Sequence, residues 1–219
     1  VKNDLVGFTG ISPDKITVTL ESADELPKGN EPVKDLTGKK FIMYIGRPTP
    51  HKNLRRLIDA FALLQKKYPE LTLALAGKKD SNYTRHEAYV NEYGIKNVVF
   101  TGFISDEQLR WMYENTAVYC FPSLSEGFGL PGLEAMLHGA PVASSTATCL
   151  PETHGDAAHY FDPYDVEDIA RVIDEILSDE KLRRELIKKG KKHVKTFSWQ
   201  RMAEQTLAVY EQYGSQNEN

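Results

Sequence analysis

Ala117-Val118-Tyr119-Cys120-Phe121-Pro122-Ser123-Leu124-Ser125-Glu126-Gly127-Phe128-Gly129-Leu130-Pro131-Gly132-Leu133-Glu134 reads as a buried strand, a turn and the start of a helix. Its first five residues form a short apolar run of the kind that fills a parallel sheet covered on both faces. Pro131 fits the first turn of a helix, where its missing N–H costs nothing. The glycine-rich turn at Gly127 and Gly129 leaves the amides of Phe128, Gly129 and Leu130 without partners inside the helix, free to bind an anion. Glu126 and Glu134, eight positions apart, bracket that turn. A carboxylate can accept two hydrogen bonds from a vicinal diol such as a ribose, so the layout suits a phosphorylated, hydroxyl-rich ligand. Taken alone, Glu134 is more simply an acid complementing a helix dipole, worth ~0.3–1 kcal/mol, and Glu126 a surface acid. The nine-residue string from Glu126 to Glu134 favours the ligand.

The same alternation extends along the chain. Apolar runs at 15–20, 41–45, 71–76, 97–101, 117–121, 141–144 and, weakly, 158–161 predict strands. Between them lie amphipathic stretches. Leu54, Leu57, Ile58, Phe61, Leu64 and Tyr68 recur at the helical period, with Asn53 placed as an N-cap. Leu109, Met112 and Tyr113 form another such face, after a cap at Ser105-Asp106-Glu107. Residues 165–178, 180–196 and 198–213 read as consecutive helices, and the Pro-, Gly- and Lys-rich stretch 22–40 as a linker. The prediction is an α/β doubly wound, Rossmann-like parallel sheet, with ligands at the carboxyl ends of its strands.

Gly46-Arg47 follows the run 41–45, and Lys52-Asn53 arrives at the next helix start. Glycine permits a sharp turn and close approach of a ligand. Arg47 offers a planar fork for phosphate oxygens and Lys52 a compact charge. The plainer alternative is two solvated cations, although a cation at a helix N-terminus is electrostatically unfavourable.

Composition narrows the classes. A net charge of -4 over 219 residues argues against a nucleic-acid-binding surface, and 41% apolar with 26% charged residues is ordinary for a soluble domain. Nothing approaches the ~18 consecutive apolar residues of a membrane span, and Val1-Lys2-Asn3-Asp4 lacks the apolar stretch of a signal peptide. The expected localisation is cytoplasmic. Cys120 and Cys149 make no disulfide framework or metal set, and Cys120 reads as a small buried hydrophobe. The six histidines show no ligand spacing; His51 reads as a loop residue and His138 as a mildly stabilising cation at a helix end.

Gly46-Arg47 with Lys52-Asn53, and the string from Pro122-Ser123 through Glu126 to Glu134, resemble the C-terminal domain of the group 1 glycosyltransferases, family 4 of the retaining enzymes with the GT-B fold. Gly102-Phe103, Pro141-Val142 and Leu150-Pro151-Glu152 ahead of Gly155-Asp156-Ala157-Ala158 follow in matching order, so the resemblance covers residues 39 to 213. It implies a nucleotide-sugar donor site, for a UDP- or GDP-hexose such as mannose or glucose. By position Arg47 and Lys52 hold the diphosphate with the amides of Phe128, Gly129 and Leu130 in the Gly127 turn. Glu134 takes the ribose, Glu126 the donor sugar, and the backbone at Gly102, Phe103 and Ile104 lies against the base. Leu109 is more simply core than a cover for the base. No metal and no other cofactor is expected, because the two cations take a metal's role.

The resemblance also implies a division of the chain: 1–38 a remnant of an N-terminal domain with the interdomain linker, 39–197 the donor-binding domain, and 198–219 a C-terminal helix that crosses back toward that other domain. The acceptor, a saccharide or lipid-linked saccharide, and any peripheral membrane association belong to that other domain. The expectation is therefore a fragment with weak activity or none, from polysaccharide or lipopolysaccharide biosynthesis. Glu21-Ser22-Ala23-Asp24 and Thr153-His154 depart from the family's common pattern. A non-catalytic nucleotide-binding module stays open, as does another GT-B enzyme such as an epimerase or a phosphorylase; no pyridoxal-site motif supports the last.

Overall fold

In the computed structural model, which describes residues 1–29 and 31–214, strands and helices alternate from residue 41 onward. β1 (Phe41–Ile45), α2 (Leu54–Leu64), β2 (Thr72–Ala76), α3 (Ser81–Glu92), β3 (Val98–Gly102), α4 (Asp106–Asn115), β4 (Val118–Phe121), α5 (Leu130–Leu137), β5 (Val142–Ser145), α6 (Leu150–His154), β6 (Ala158–Phe161), α7 (Val166–Ser178), α8 (Glu180–His193) and α9 (Trp199–Gly214) follow α1 (Lys2–Thr9). The strands make one parallel sheet in the order β3-β2-β1-β4-β5-β6. This is the predicted doubly wound α/β fold.

Side chains alternate across the sheet and so build two apolar layers. Ile42 and Tyr44 of β1 join Leu57, Ile58 and Phe61 of α2 and Ile169, Val172 and Ile173 of α7 on one face. Phe41 and Met43 join Met112 and Tyr113 of α4 and Leu133 and Met136 of α5 on the other. Each such side chain contributes about 1.5–3 kcal/mol through removal from water. These two layers hold the loop ends of β1 and β4 in fixed relation.

Several expectations change. Residues 15–20 form no strand: a 3-10 turn spans Pro13–Lys15, and the alternating Ile16, Val18 and Leu20 find no partner edge, leaving Val18 and Leu20 exposed. The linker contains a 3-10 turn at Lys34–Leu36 that buries Leu36. The helix predicted over 180–196 ends at His193 and finishes as a 3-10 turn, Val194–Thr196. Asn53 stands at the start of α2 but does not cap it; its backbone is left-handed (φ 58°) and its side chain bonds elsewhere. Helices α1, α3 and α6 were not predicted. The last helix carries exposed Trp199, Leu207 and Tyr210, and residues 215–219 of the predicted C-terminal unit lie outside the described residues.

Candidate active site

From β1 the chain moves outward through β2 and β3; from β4 it moves the other way through β5 and β6. Loops leaving β1 and β4 therefore diverge, and a crevice opens between them at the carboxyl edge. Two hydrogen bonds stitch these loops together. The Leu124 N–H donates to the His51 carbonyl at 2.7 Å, and the Asn53 side-chain amide donates to the Pro122 carbonyl at 3.0 Å. A second bond from that amide reaches the Pro163 carbonyl at 2.8 Å. Asparagine tolerates the left-handed backbone that this bridging requires.

Lys52 Nζ lies 2.6 Å from Glu126 Oε1, with the two side chains 20% and 12% exposed. The loop after β5 grips the Glu126 backbone: Thr148 Oγ1 accepts from the Glu126 N–H at 3.0 Å and donates to its carbonyl at 3.2 Å. Lys52 is thus held against Glu126, at the start of the turn that leads into α5. Arg47 sits at the same edge but leans one loop away, where its Nε donates to Asp80 Oδ2 at 3.2 Å with the side chain 75% exposed. Asp80, unnoticed in the sequence, caps α3 by accepting from the N–H groups of Asn82 and Tyr83. Those bonds, the Tyr83 one foremost, and the Arg47 guanidinium hold its carboxyl below the usual range.

Glycines close the strand ends. The Gly46 N–H donates to the Ala76 carbonyl and the Gly77 N–H to the Gly102 carbonyl, each at 3.0 Å. A Cβ on Gly77 would stand 2.2 Å from the Gly46 carbonyl oxygen, and one on Gly46 would stand 2.6 Å from the Tyr44 hydroxyl. Beyond them Phe103 is exposed, while Ile104 and Leu109 pack against the core.

At the tip of α5, Gly129 is left-handed (φ 100°), Leu130 opens the helix and Pro131 occupies its first turn. The N–H groups of Phe128, Gly129 and Leu130 meet no backbone acceptor among the described residues. Glu134 lies in the second turn of α5 rather than the first. Its Oε2 accepts from the buried Tyr113 hydroxyl at 3.2 Å. Burial raises the pKa of this half-buried carboxyl, and the Tyr113 bond opposes that rise. Sequence reading gave Tyr113 only a packing role, since helical spacing cannot reveal where a hydroxyl ends.

Two histidines are buried, the first of them against expectation. His138 follows α5 but is buried, and its Nε2 accepts from the Leu26 N–H at 3.2 Å. Accepting that bond takes an unprotonated Nε2, and burial lowers the ring's pKa, so His138 is no helix-end cation. His154, at the end of α6 and fully buried, places Nε2 at 3.2 Å from the Gly129 carbonyl and Nδ1 at 3.2 Å from Ser144 Oγ. Burial pushes its pKa down to about 4.

An open helix tip and a lysine stand at the carboxyl edge of a doubly wound α/β sheet, the place where folds of this class put their ligands. Comparison with known proteins carries this further. The family model described as "Glycosyl transferases group 1" matches residues 29–193, and the chain belongs to that family. It is 35% identical over 223 residues to O-antigen chain mannosyltransferase B of Escherichia coli, covering 95% of this chain and 58% of that protein. Among solved structures, a sucrose-phosphate synthase from Thermosynechococcus elongatus superposes with a TM-score of 0.74 at 30% identity, over 82% of this chain and 47% of the other. The C-terminal domain of a group 1 family glycosyl transferase from Francisella tularensis superposes with a TM-score of 0.65 at 27% identity, over 81% of this chain and 95% of that domain. The chain spans 25% to 58% of the length of the first curated relatives. Among the described residues, no helix is long and apolar enough to cross a membrane.

Proposed function

We propose that the crevice between β1 and β4 binds a nucleoside-diphosphate hexose for retaining transfer to a saccharide acceptor. The observation that carries this reading is the junction of Lys52, Glu126 and the unpartnered amides of the α5 tip at the topological switch of the sheet. The diphosphate sits against Lys52 and the N–H groups of Phe128, Gly129 and Leu130. Arg47 turns from Asp80 toward it across the β1 loop. Glu126, released from Lys52, accepts from the hydroxyls of the donor sugar, and Glu134 accepts from the ribose. Gly102, Phe103 and Ile104 form the wall for the base.

Cleavage of the sugar–phosphate bond leaves negative charge on the departing diphosphate. Fixed cations and helix-end amides in a partly desolvated crevice favour that charge as it grows. The reaction needs no metal in this reading, because Lys52 and Arg47 supply the positive charge. Mannose is the favoured sugar, in line with the names of the curated relatives. Residues 39–197 form the donor-binding unit, and the exposed face of α9 meets the part of the enzyme that carries the acceptor.

Calorimetric titration with UDP, GDP, ADP and their hexose conjugates tests this. Binding of one nucleoside diphosphate, tightened by its attached hexose, is expected. Absence of binding by all of them at millimolar concentration contradicts it. Binding of the nucleotide with no further gain from any sugar favours a non-catalytic nucleotide module instead.

A further inference from the structure

We propose that His154, oriented by Ser144, is a positioning residue that fixes the Gly129–Leu130 peptide so that the Leu130 amide faces the diphosphate. The inference rests on the anion-binding reading of the α5 tip. A carbonyl oxygen only accepts hydrogen bonds, so the 3.2 Å contact between His154 Nε2 and the Gly129 oxygen requires the proton on Nε2. Nδ1 then carries a lone pair and takes the Ser144 hydroxyl proton at 3.2 Å. The same hydroxyl lies 3.2 Å from the Ser145 carbonyl, which competes for that one proton. Ring and serine thus form a chain, from Ser144 Oγ–H to Nδ1 and from Nε2–H to the Gly129 oxygen.

The consequence follows from peptide geometry. In a trans peptide the C=O of one residue and the N–H of the next point in opposite directions, and the described chain has no cis bond. Holding the Gly129 oxygen inward against the ring turns the Leu130 N–H outward, toward the crevice. Such a hold is needed here because Gly129 is left-handed (φ 100°), and glycine lets the adjoining peptide rotate at little steric cost. Among the described residues one other bond reaches that oxygen, from the Gly132 N–H at 3.0 Å. The ring itself fills the space under the tip: a Cβ on Gly132 would stand 2.3 Å from its Nε2. Burial keeps the imidazole neutral across the physiological range, and the Gly129 carbonyl, which can only accept, favours the tautomer with the proton on Nε2.

The experiment compares His154→Leu, which fills the space without a donor, with His154→Gln, whose amide nitrogen restores one. UDP and GDP are titrated into each, and the Leu130 amide is followed by ¹⁵N-resolved NMR. His154→Leu is expected to weaken the nucleoside diphosphate about tenfold, the scale of one hydrogen bond, and to shrink the ligand-induced shift of the Leu130 amide. His154→Gln is expected to recover most of both. Should His154→Leu fail to fold, Ser144→Ala, which frees the ring to change tautomer, is expected to show a weaker form of the same losses. Wild-type affinity and shift in folded His154→Leu or Ser144→Ala overturn the proposal, as does a His154→Gln protein no better than His154→Leu. Lys52→Ala separates the diphosphate site from the positioning role of His154. If it also leaves UDP and GDP binding unchanged, or the unaltered chain binds neither, the diphosphate reading fails; if it abolishes binding while the His154 variants bind normally, only the positioning role fails.

Discussion

Lys52 and Arg47 carry the same charge in different settings. Lys52 is largely withdrawn from water against Glu126, whereas Arg47 is mostly solvated beside Asp80. A charge-assisted hydrogen bond gains strength as water is removed. Lys52→Ala is therefore expected to weaken nucleoside diphosphate binding by about 1.5–3 kcal/mol, and Arg47→Ala by less, with little effect of either on the free nucleoside. Calorimetry on the two variants checks the order; equal losses for diphosphate and nucleoside would contradict the phosphate assignment. His154 makes a prediction of its own. Its pKa falls from the ordinary 6.5 to about 4 on folding, so the unfolded chain binds the extra proton first. Its contribution to stability is present above about pH 6.5 and is lost as pH falls toward 4, amounting to about 3 kcal/mol across that window. Denaturant melts at pH 7 and pH 4.5 should show a smaller pH-dependent loss for His154→Gln than for the unaltered chain, and an unchanged difference would rule out His154 as its source.

At the scale of elements, the central strands β1, β2, β4 and β5 were readable because parallel strands buried on both faces are continuous apolar runs, whereas the edge strands β3 and β6 are only partly buried. Helix α2 was readable because Leu54, Leu57, Ile58, Phe61 and Leu64 repeat on one face; Tyr68, read as part of the same pattern, lies beyond its end. Helix α3 was not, since it buries only Tyr83 and Val90 and owes its start to the Asp80 cap. Residues 15–20 had strand-like alternation, but alternation specifies a strand only when an edge accepts it. In the site, the glycine turn and both glutamates were legible as a string. The partners that orient them, Tyr113, His154 and Thr148, come from other elements and left no local pattern. Tyr113→Phe should leave Glu134 half-buried with one donor fewer, weakening ribonucleotides while sparing inorganic pyrophosphate, as Glu134→Gln also should. Parallel titrations decide, and equal losses for pyrophosphate would move that carboxylate away from the ribose. Gly77→Ala tests the closure of the strand ends. A methyl group 2.2 Å from a backbone oxygen cannot be relieved by a side-chain rotation. The variant is expected to lose about 3 kcal/mol or more, read as a lowered melting temperature; wild-type stability would refute the packing described.

For the whole molecule, the sequence predicted a class of fold, and the strand order turned that class into a location. Outward winding from β1 and β4 puts one crevice between the Lys52 loop and the α5 tip, and the side chains that bear on it come from β1, β4, β5 and α6 loops alike. A ligand there stabilises the folded state by mass action, by about 2.7 kcal/mol at a hundred times its Kd. The most direct measurement is a crystal structure of the chain with the nucleoside diphosphate that titration selects. The diphosphate is expected within about 3.2 Å of Lys52 Nζ and of the Leu130 amide, with Glu126 swung off Lys52 and Glu134 on the ribose. A diphosphate bound elsewhere, with the Lys52–Glu126 pair intact, would contradict this placement.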